Sequence, residues 1–329
     1  MSSSHLSVRA TPGTVGIGQV EWLPPSTAVP PSTALPPSTA VSPNTMETFE
    51  TYRAYLFSIA YRMLGSVMDA EDMVQETYVR YQGAAPGALL SLKAYLTTIL
   101  TRLCIDQLHR AYQQRETYLG PWLPEPILTS GATSVEESAD MRESLSLAFL
   151  VMLERLPPIE RAVFLLRSVF DYDYAEIAQF VGKSEAACRQ SFSRAKKHLA
   201  VRQSRDAPAP ETHRQLLASF LQAVQTGDTS PLMTLLAEDV TLVADGGGKV
   251  PGAATHPVVG RQAVAQFALG ASRRFLTLGY QVEQSEVNHQ PALILRGGDQ
   301  AYVVLTVEVH AQQVQMVRLI ANPDKLKHL

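Results

Sequence analysis

The stretch "DYAEIAQFVGKSEAACRQSFSRAKKHL", residues 173–199, contains two apolar-periodic segments that are joined at "VGKS". Each segment is long enough for a short helix, and the glycine between them is typical of the turn in a helix-turn-helix. In the second segment, an apolar stripe at Cys188, Phe192, Ala195 and Leu199 has helical spacing and predicts the buried side. The stretch therefore predicts a helix-turn-helix, whose second helix enters the major groove of DNA.

The outward side of that second helix carries the chemistry for contacting duplex DNA. Residues 183–202 contain six lysines or arginines against one acid, Glu185, although the whole chain has a formal net charge of −3. Arginine pairs with the guanine edge and glutamine with the adenine edge through two parallel hydrogen bonds, and lysine binds phosphates. A solvated cationic face on a structural helix is the alternative. The predicted base-reading residues are Arg189, Gln190, Ser191 and Arg194, and the predicted phosphate contacts are Lys196 and Lys197.

Length and composition limit the classes of protein that fit. A chain of 329 residues, 46% of them hydrophobic, can bury two or three packed domains. Its two cysteines, Cys104 and Cys188, lie far apart in apolar-periodic segments, which indicates reduced buried thiols. The longest apolar run, "LAFLVML", is too short to span a membrane, and the amino terminus lacks a signal-peptide pattern. We therefore expect a cytoplasmic protein with no metal, no cofactor and no membrane partner.

Changes of composition divide the chain into segments. A "PPSTAV"-like hexapeptide repeat predicts a disordered amino-terminal tail, and whether translation begins at Met1 or at Met46 stays open. Two blocks of helical periodicity follow, and then helices precede four alternating, β-branched runs, which predict a curled antiparallel sheet in an α+β cone. The predicted division is a tail (1–45), a helical domain (46–113), a linker (114–140), a helical domain with the helix-turn-helix (141–203), a short linker (204–210) and the cone (211–329).

The long linker contains "YLGPWLPEP", residues 118–126, with two aromatic residues and three prolines. Prolines fix φ and lack an amide donor, so this segment cannot continue a helix and should run extended. A stiff apolar strap of this kind needs a surface to lie against. We expect Trp122 to be its anchor.

Several motifs together resemble one bacterial family. "DAEDMVQETYVRY" and "AYLTTILTRLCIDQL" resemble region two of an extracytoplasmic-function (ECF) sigma factor of the sigma-70 family, and residues 156–199 resemble its region four. "WLPEP", "DGGGK" and "NPDKL" are similar to the marks of the subgroup that carries a SnoaL-like, or NTF2-like, carboxy-terminal extension. The resemblance implies two all-α sigma domains followed by an α+β NTF2/SnoaL-like cone. It also implies a transcription initiation factor that is not an enzyme.

The resemblance implies roles for three groups of residues. The acidic helix predicted over "DAEDMVQETYVRY", residues 69–81, would dock on the β′ clamp helices of core RNA polymerase, and region four would contact the β flap. The third helix and the loop before it would open the −10 element of promoter DNA, while the helix-turn-helix would read the −35 element. The polymerase-facing residues are Asp69, Glu71, Asp72, Gln75 and Glu76, and the −10 residues are Tyr95, Arg102, Asp106, His109 and Arg110.

The carboxy-terminal motifs lead to a hypothesis about regulation. "DGGGK" lacks the spacing and the following Ser or Thr of a phosphate-binding loop, so its glycines are better explained by a turn or by close backbone approach. We expect the strap to dock on this motif and to set the distance between the two DNA-binding domains, in place of a separate anti-sigma protein. The interdomain residues are Trp122, Leu123, Pro124, Asp245, Gly246, Gly247, Gly248, Lys249, Asn322, Pro323, Asp324 and Lys325.

Two other functions compete with this one. An enzyme could have its chemistry in the cone, with the helical half as a targeting module, although candidate acids and histidines such as Asp239, Asp245, His256 and His289 fall beside turns or strand ends. A conventional repressor or activator would be a symmetric dimer, and this sequence has no obvious dimerisation seam. Whether the cone holds a small molecule stays open.

Overall fold

The computed structural model describes residues 43–83, 91–115, 117–129, 139–199 and 210–329, which belong to one compact unit that ends at Leu329. The predicted tail lies outside the described residues up to position 42. Most of the loop predicted before the third helix (residues 82–91) and most of the short linker (204–210) also lie outside them. Within the described residues, no helix is long and apolar enough to cross a membrane, and no cluster of three His, Cys, Asp or Glu side chains could hold a metal ion.

The first half of the described chain is helical. An apolar face such as that of Leu56, Ile59 and Met63 has helical spacing, and these side chains are fully buried in a core that both helical domains share. The two cysteines are buried free thiols. The helices are α1 (Pro43–Leu64), α2 (Val67–Gly83), α3 (Leu92–Arg115), α4 (Ala139–Glu143), α5 (Leu147–Leu153), α6 (Pro158–Ser168), α7 (Tyr174–Val181) and α8 (Glu185–Leu199).

Helices α7 and α8 form the predicted helix-turn-helix. Asp173 caps α7 with a capping box to Glu176, and Gly182 ends the helix in the left-handed region at φ 65°, where glycine has no steric penalty. The predicted buried stripe of α8 is wrong at one position, because Ser191 is buried and Phe192 is only half-buried. The Phe192 ring stacks on Phe164 at the margin of the core. The fully buried residue at this level of α8 is therefore the smaller Ser191.

The carboxy-terminal domain combines three helices with one six-stranded sheet, as the α+β prediction requires. Its strands lie in the order β2-β1-β6-β5-β4-β3. The elements are α9 (Pro210–Thr226), α10 (Thr229–Leu235), β1 (Leu236–Asp245), β2 (Val258–Val259), α11 (Arg261–Thr277), β3 (Gln281–Val287), β4 (Gln290–Gly297), β5 (Gln300–His310), β6 (Gln313–Ile320) and a terminal 3-10 turn (Pro323–Lys325).

The sheet differs from the prediction in two ways. The four predicted strands are β3 to β6, but β1 is a further long strand, and it begins at Leu236, within the segment "SPLMTLLAE" (residues 230–238) that has the pattern of a short helix. The sheet is also mixed, because β1 pairs parallel with β6 while the other ladders are antiparallel. A parallel neighbour far away in sequence leaves no local pattern from which it could be predicted.

The two faces of this sheet have different neighbours. One face packs against α9, α10 and α11 and forms the core of the carboxy-terminal domain. The other face carries Val287, Ile294 and Val304, which pack with Leu123 of the linker and Leu147 of α5. The linker and the second helical domain therefore lie against the sheet itself.

Candidate functional site

Asp245, at the end of β1, is the centre of a buried polar network that holds the linker. Its Oδ2 accepts hydrogen bonds from the Leu123 amide at 2.8 Å and from Lys325 Nζ at 2.7 Å. Its Oδ1 accepts from the Tyr118 hydroxyl at 2.5 Å and from the Gly247 amide at 3.1 Å. Beside a strand end, a capping or a surface role was expected for Asp245; its side chain is fully buried and caps the turn by accepting from the Gly247 amide.

Lys325 supplies the compensating charge from the terminal 3-10 turn. Only 5% of the residue is exposed, and its Nζ also donates to the Leu123 carbonyl. The same ammonium lies 4.0 Å from the centroid of the Trp122 ring. A buried ion pair is tolerated when further hydrogen bonds satisfy both groups, and the indole face adds a cation–π attraction. Trp122 of the linker and Lys325 near the end of the chain are thus in direct contact.

Tyr118 completes the network from the start of the strap. Burial, together with the hydrogen bond to Asp245, raises the pKa of Tyr118, so the phenol stays protonated and donates. Its oxygen in turn accepts from Asn322 Nδ2 at 2.9 Å. The network therefore joins the two segments that were predicted to meet, the linker and the carboxy-terminal end of the chain.

The glycines of "DGGGK" allow close packing around the network. A Cβ added to Gly247, at φ 57°, would lie 2.4 Å from Asn322, and one added to Gly248 would lie 3.1 Å from Leu119. Gly246 is buried in the same turn. These contacts account for the glycines by close approach and positive φ.

Lys249 and Asp324 form an ion pair at the rim of the same region. Both side chains are about half exposed, at 53% and 45%. The hydrogen bond from Lys249, followed by that from Lys327, lowers the pKa of Asp324. Pro323, between the capping residue Asn322 and Asp324, is exposed. Water screens this pair, in contrast to the buried pair below it.

Glu125 fastens the strap to the first helical domain. Its carboxylate accepts from the Val67 amide at 2.6 Å and from the Ser66 hydroxyl at 3.0 Å, which places a negative charge at the amino terminus of α2. Its amide donates to the Gly65 carbonyl at 2.8 Å. Glu125 was absent from the predicted site. It could have been included, because it is an acidic residue within the strap that was predicted to dock.

The turn between β3 and β4 is a second contact that the sequence did not reveal. Asn288, fully buried and at φ 53°, donates through Nδ2 to the Tyr61 hydroxyl of α1 and to the Leu145 carbonyl before α5, both at 2.8 Å. Its Oδ1 accepts from the Ile127 amide at 3.0 Å. One side chain therefore joins the carboxy-terminal domain to both helical domains and to the linker.

The two helical domains also contact each other directly. Arg102 of α3 donates to the Phe180 and Gln179 carbonyls of α7 at 3.1 and 2.9 Å. The hydroxyls of Tyr55 and Tyr172 are hydrogen bonded across the same interface. Arg102 was predicted to contact the −10 strand, but in this arrangement its guanidinium is bound to α7.

Arg161 makes a deeper link between the helical domains. It donates to the Met63 carbonyl and to the Glu154 carboxylate, both at 2.8 Å. Burial lowers the pKa of Arg161 to about 10, so the guanidinium remains charged at neutral pH.

The predicted −35 residues lie on one helix but not all on one face. Arg189, Gln190, Lys196 and Lys197 are exposed on α8. Arg194 is half exposed and donates to the Glu160 carboxylate at 2.7 Å. Ser191 is buried and accepts a hydrogen bond from Arg194, so the prediction that it faces outward is wrong.

The residues predicted to face polymerase and the −10 strand occupy α2 and α3. On α2, Asp72 and Gln75 are exposed. The three other acids have partners in the chain: Asp69 with Gln107, Glu71 with Arg53, and Glu76 with Arg80. On α3, Asp106, His109 and Arg110 are exposed and Tyr95 is half-buried.

Comparison with known proteins assigns the family. The sigma-70 region 2 model matches residues 48–115, and the sigma-70 region 4 model matches residues 146–199. The ECF RNA polymerase sigma factor SigJ of Mycobacterium tuberculosis is 36% identical over 288 residues, which cover 84% of this chain and 91% of SigJ. This chain belongs to the extracytoplasmic-function sigma factors.

One further relative and one solved structure extend this finding beyond the helical domains of the sigma factor. The probable ECF RNA polymerase sigma factor SigI of the same species is 30% identical over 285 residues, with 84% of this chain and 93% of SigI covered. The crystal structure of M. tuberculosis SigJ matches with a TM-score of 0.67 at 34% identity, covering 85% of this chain and 97% of SigJ. The similarity thus includes the carboxy-terminal domain, and the predicted family and fold class are confirmed.

Proposed function

We propose that the sigma factor works as a subunit of RNA polymerase with no chemistry of its own, and that it directs the core enzyme to promoters with two separate elements. In this proposal α8 reads the −35 element through Arg189, Gln190 and Arg194, while Lys196 and Lys197 bind phosphates. The exposed end of α3, with His109 and Arg110, faces the −10 strand. The family assignment supports this division of labour.

The polymerase contact in this proposal is the acidic face of α2. Asp72 and Gln75 are exposed there, next to the apolar Met68 and Val79, which are 58% and 59% exposed. Exposed apolar side chains beside acids suit a protein interface with a basic partner surface. We assign this face to the β′ clamp helices, and the helix-turn-helix domain to the β flap.

We further propose that the carboxy-terminal domain regulates the sigma factor in cis by holding the two helical domains together, without a separate anti-sigma protein. The observation that carries this proposal is Asn288, whose side chain bonds to Tyr61 of one helical domain and to Leu145 of the other. The Asp245–Lys325 network fixes the linker between those domains to the same sheet. Separation of the helical domains would break at least one of the Asn288 bonds to Tyr61 and Leu145.

In the structure the two helical domains contact each other, which we call the closed form. In this form not all of the residues predicted to contact promoter DNA are free to do so. Arg102 is bound to backbone carbonyls of α7, so it becomes available to a DNA strand only when α3 and α7 separate. Two-element recognition also requires each helical domain to reach its own stretch of duplex. Core polymerase would therefore bind the open form and shift the population toward it.

Binding of purified full-length protein to core RNA polymerase at low salt tests the class of function. We expect Asp72→Arg to weaken binding by about tenfold, because it places a like charge against the basic partner surface. Glu238→Arg is the matched control, since it makes the same charge reversal on an exposed site of β1. Absence of binding by the wild type, or equal losses in the two variants, would refute the proposal.

A further inference from the structure

One acidic side chain in the helix-turn-helix domain holds a predicted base-reading residue from a different helix. Glu160 lies in the first turn of α6 and is buried. Its Oε1 accepts a hydrogen bond from Arg194 Nε of α8 at 2.7 Å, and the two side chains form an ion pair. The amino-terminal end of a helix also favours a negative charge. Glu160 is therefore a charged acceptor whose position is fixed by α6 and not by α8.

The guanidinium of Arg194 is bound along one edge and open along the other. Its Nε is used by Glu160, and its Nη2 donates to the Ser191 hydroxyl at 3.2 Å. Among the described residues, Nη1 has no hydrogen-bond acceptor, and half of the side chain is exposed. The outer fork of the guanidinium, which is Nη1 with the second N–H of Nη2, can therefore still donate two parallel hydrogen bonds. This is the geometry that the O6 and N7 atoms of guanine accept.

The other arginine of α8 that was predicted to read bases is held differently. Arg189 pairs with Glu185 at 2.8 Å, but both residues belong to α8 and their side chains are 58% and 46% exposed. In the pair between Arg194 and Glu160, the acidic side chain is only 9% exposed. Water screens an exposed pair, whereas a carboxylate that is withdrawn from water makes a stronger charge-assisted hydrogen bond. Arg189 can therefore change its rotamer at little cost, while Arg194 is held in one orientation.

His198 lies one helical turn after Arg194 and faces the same carboxylate. Its Nδ1 is 3.2 Å from Glu160 Oε2, and within the described part of the chain this oxygen accepts no hydrogen bond. Oε2 can therefore accept a further donor from α8, and an imidazole with a proton on Nδ1 supplies one. One carboxylate of α6 thus faces two successive turns of α8.

We propose that Glu160 is a positioning residue for recognition of the −35 element. It holds the Arg194 guanidinium with its outer fork directed at one base pair, and it compensates the charge that would otherwise draw Arg194 to a phosphate. Phosphate contacts carry no direct sequence information, whereas a fork that meets the guanine edge does. This inference rests on the proposed reading of the −35 element by α8, and it adds the residue that makes Arg194 selective.

Selection of promoter fragments by the assembled polymerase tests the role of Glu160. Core RNA polymerase with the full-length protein selects from a library whose −35 region is randomised, and the preference that Arg194→Ala loses identifies the base pair that Arg194 reads. We expect Glu160→Gln to reduce the preference at that base pair about fivefold and to keep the others, because a neutral amide holds the guanidinium less firmly. Glu185→Gln is the matched control, since it removes the exposed partner of Arg189, and it should keep every preference.

The outcomes of the selection distinguish this inference from the proposed function. A wild type that shows no base preference in the −35 region would refute the reading of that element by α8, and the role of Glu160 with it. If the wild type selects, three results would overturn the positioning role alone. Arg194→Ala could keep every preference, Glu160→Gln could keep the preference that Arg194→Ala loses, or Glu160→Gln could weaken all preferences equally, as a merely structural residue would.

A spectroscopic measurement on the wild type keeps the test valid if a variant does not fold. In the isotope-labelled full-length protein, NMR should show that the Nε proton of Arg194 exchanges with water about tenfold more slowly than that of Arg189, whose ion pair uses Nη2 instead. Glu160→Gln should remove most of this difference, and Glu185→Gln should leave it in place. Equal exchange rates for the two arginines in the wild type would overturn the proposal.

Discussion

Two hairpin turns of the same sheet have similar backbone conformations, but one is buried and the other is exposed. The β3–β4 turn, Asn288 and His289, and the β5–β6 turn, Ala311 and Gln312, each consist of two residues with positive φ. Asn288 is completely buried between the helical domains, whereas Ala311 is exposed. The same type of turn therefore makes an interdomain contact between β3 and β4, and only reverses the chain direction between β5 and β6.

A buried and an exposed lysine–aspartate pair near the end of β1 differ in the same way. Lys325–Asp245 is buried with side-chain exposures of 6% and 0%, whereas Lys249–Asp324 is about half exposed. An exposed pair is screened by water, while a buried charge that loses its partner keeps the full desolvation penalty. The linker-facing side of this domain therefore depends on a few buried polar groups, and an equivalent ion pair at the surface contributes little.

The largest effect is expected from Lys325→Met. It leaves the Asp245 carboxylate buried without a counter-charge, so the free energy of unfolding should fall by about 3–5 kcal/mol. Urea unfolding can be followed by the fluorescence of Trp122, which packs beside Lys325, in a Trp22→Phe background that leaves a single indole.

Lys249→Met is the matched control, with an expected change of at most about 1 kcal/mol. Adding Asp245→Asn to Lys325→Met should recover part of the loss, because it removes the uncompensated charge. If the two lysine variants lost equal stability, the contrast between the buried and the exposed pair would be wrong.

Asn288→Gly should have the next largest effect. Glycine keeps the positive φ but removes the donors to Tyr61 and Leu145 and the acceptor for Ile127, so we expect a loss of about 2–3 kcal/mol. Hydrogen exchange should also become faster at the linker and at the start of α5, where its partners lie.

The equivalent change in the exposed turn, Ala311→Gly, should alter stability by no more than about 0.5 kcal/mol and leave hydrogen exchange in the helical domains as it was. A similar result for the two glycine variants would contradict the role given to the Asn288 side chain.

The smallest effect is expected at His213, a buried residue of α9 on the helix-covered face of the sheet. Burial lowers the pKa of His213, and its Nε2 is hydrogen bonded to the Val307 carbonyl. The unfolded chain therefore binds a proton that the folded chain resists, so stability falls as the pH drops below about 6.5. In His213→Gln the fall should be shallower, as measured by urea unfolding between pH 7 and pH 5. An unchanged slope would exclude His213 as a cause.

Local signals predicted the helical half well. The glycine turn at Gly182 and the cationic face of α8 follow from short-range spacing, and so do the helices around them. The exception is Ser191, where stripes passing through position 191 or position 192 both satisfy helical spacing, and only the packing of Phe192 against Phe164 decides between them.

The contacts of the carboxy-terminal domain could be predicted only in part. The strap and "DGGGK" were expected to meet because both are unusual sequences. The burial of Asp245, however, is decided by Lys325, eighty residues away, and an Asn-His pair between strands resembles any hairpin turn. Nothing in the local sequence indicates which surface such a turn meets.

The distance between the helical domains, measured with and without core RNA polymerase, shows whether the carboxy-terminal domain holds these domains together in the free protein. Spin labels at Ala54→Cys on α1 and Ala186→Cys on α8 occupy exposed positions, while burial raises the pKa of the native Cys104 and Cys188 thiols and protects them from labelling. We predict one narrow, short distance in the free protein and a longer one in the complex. The same distance in both states would show that the helical domains do not separate when the polymerase binds.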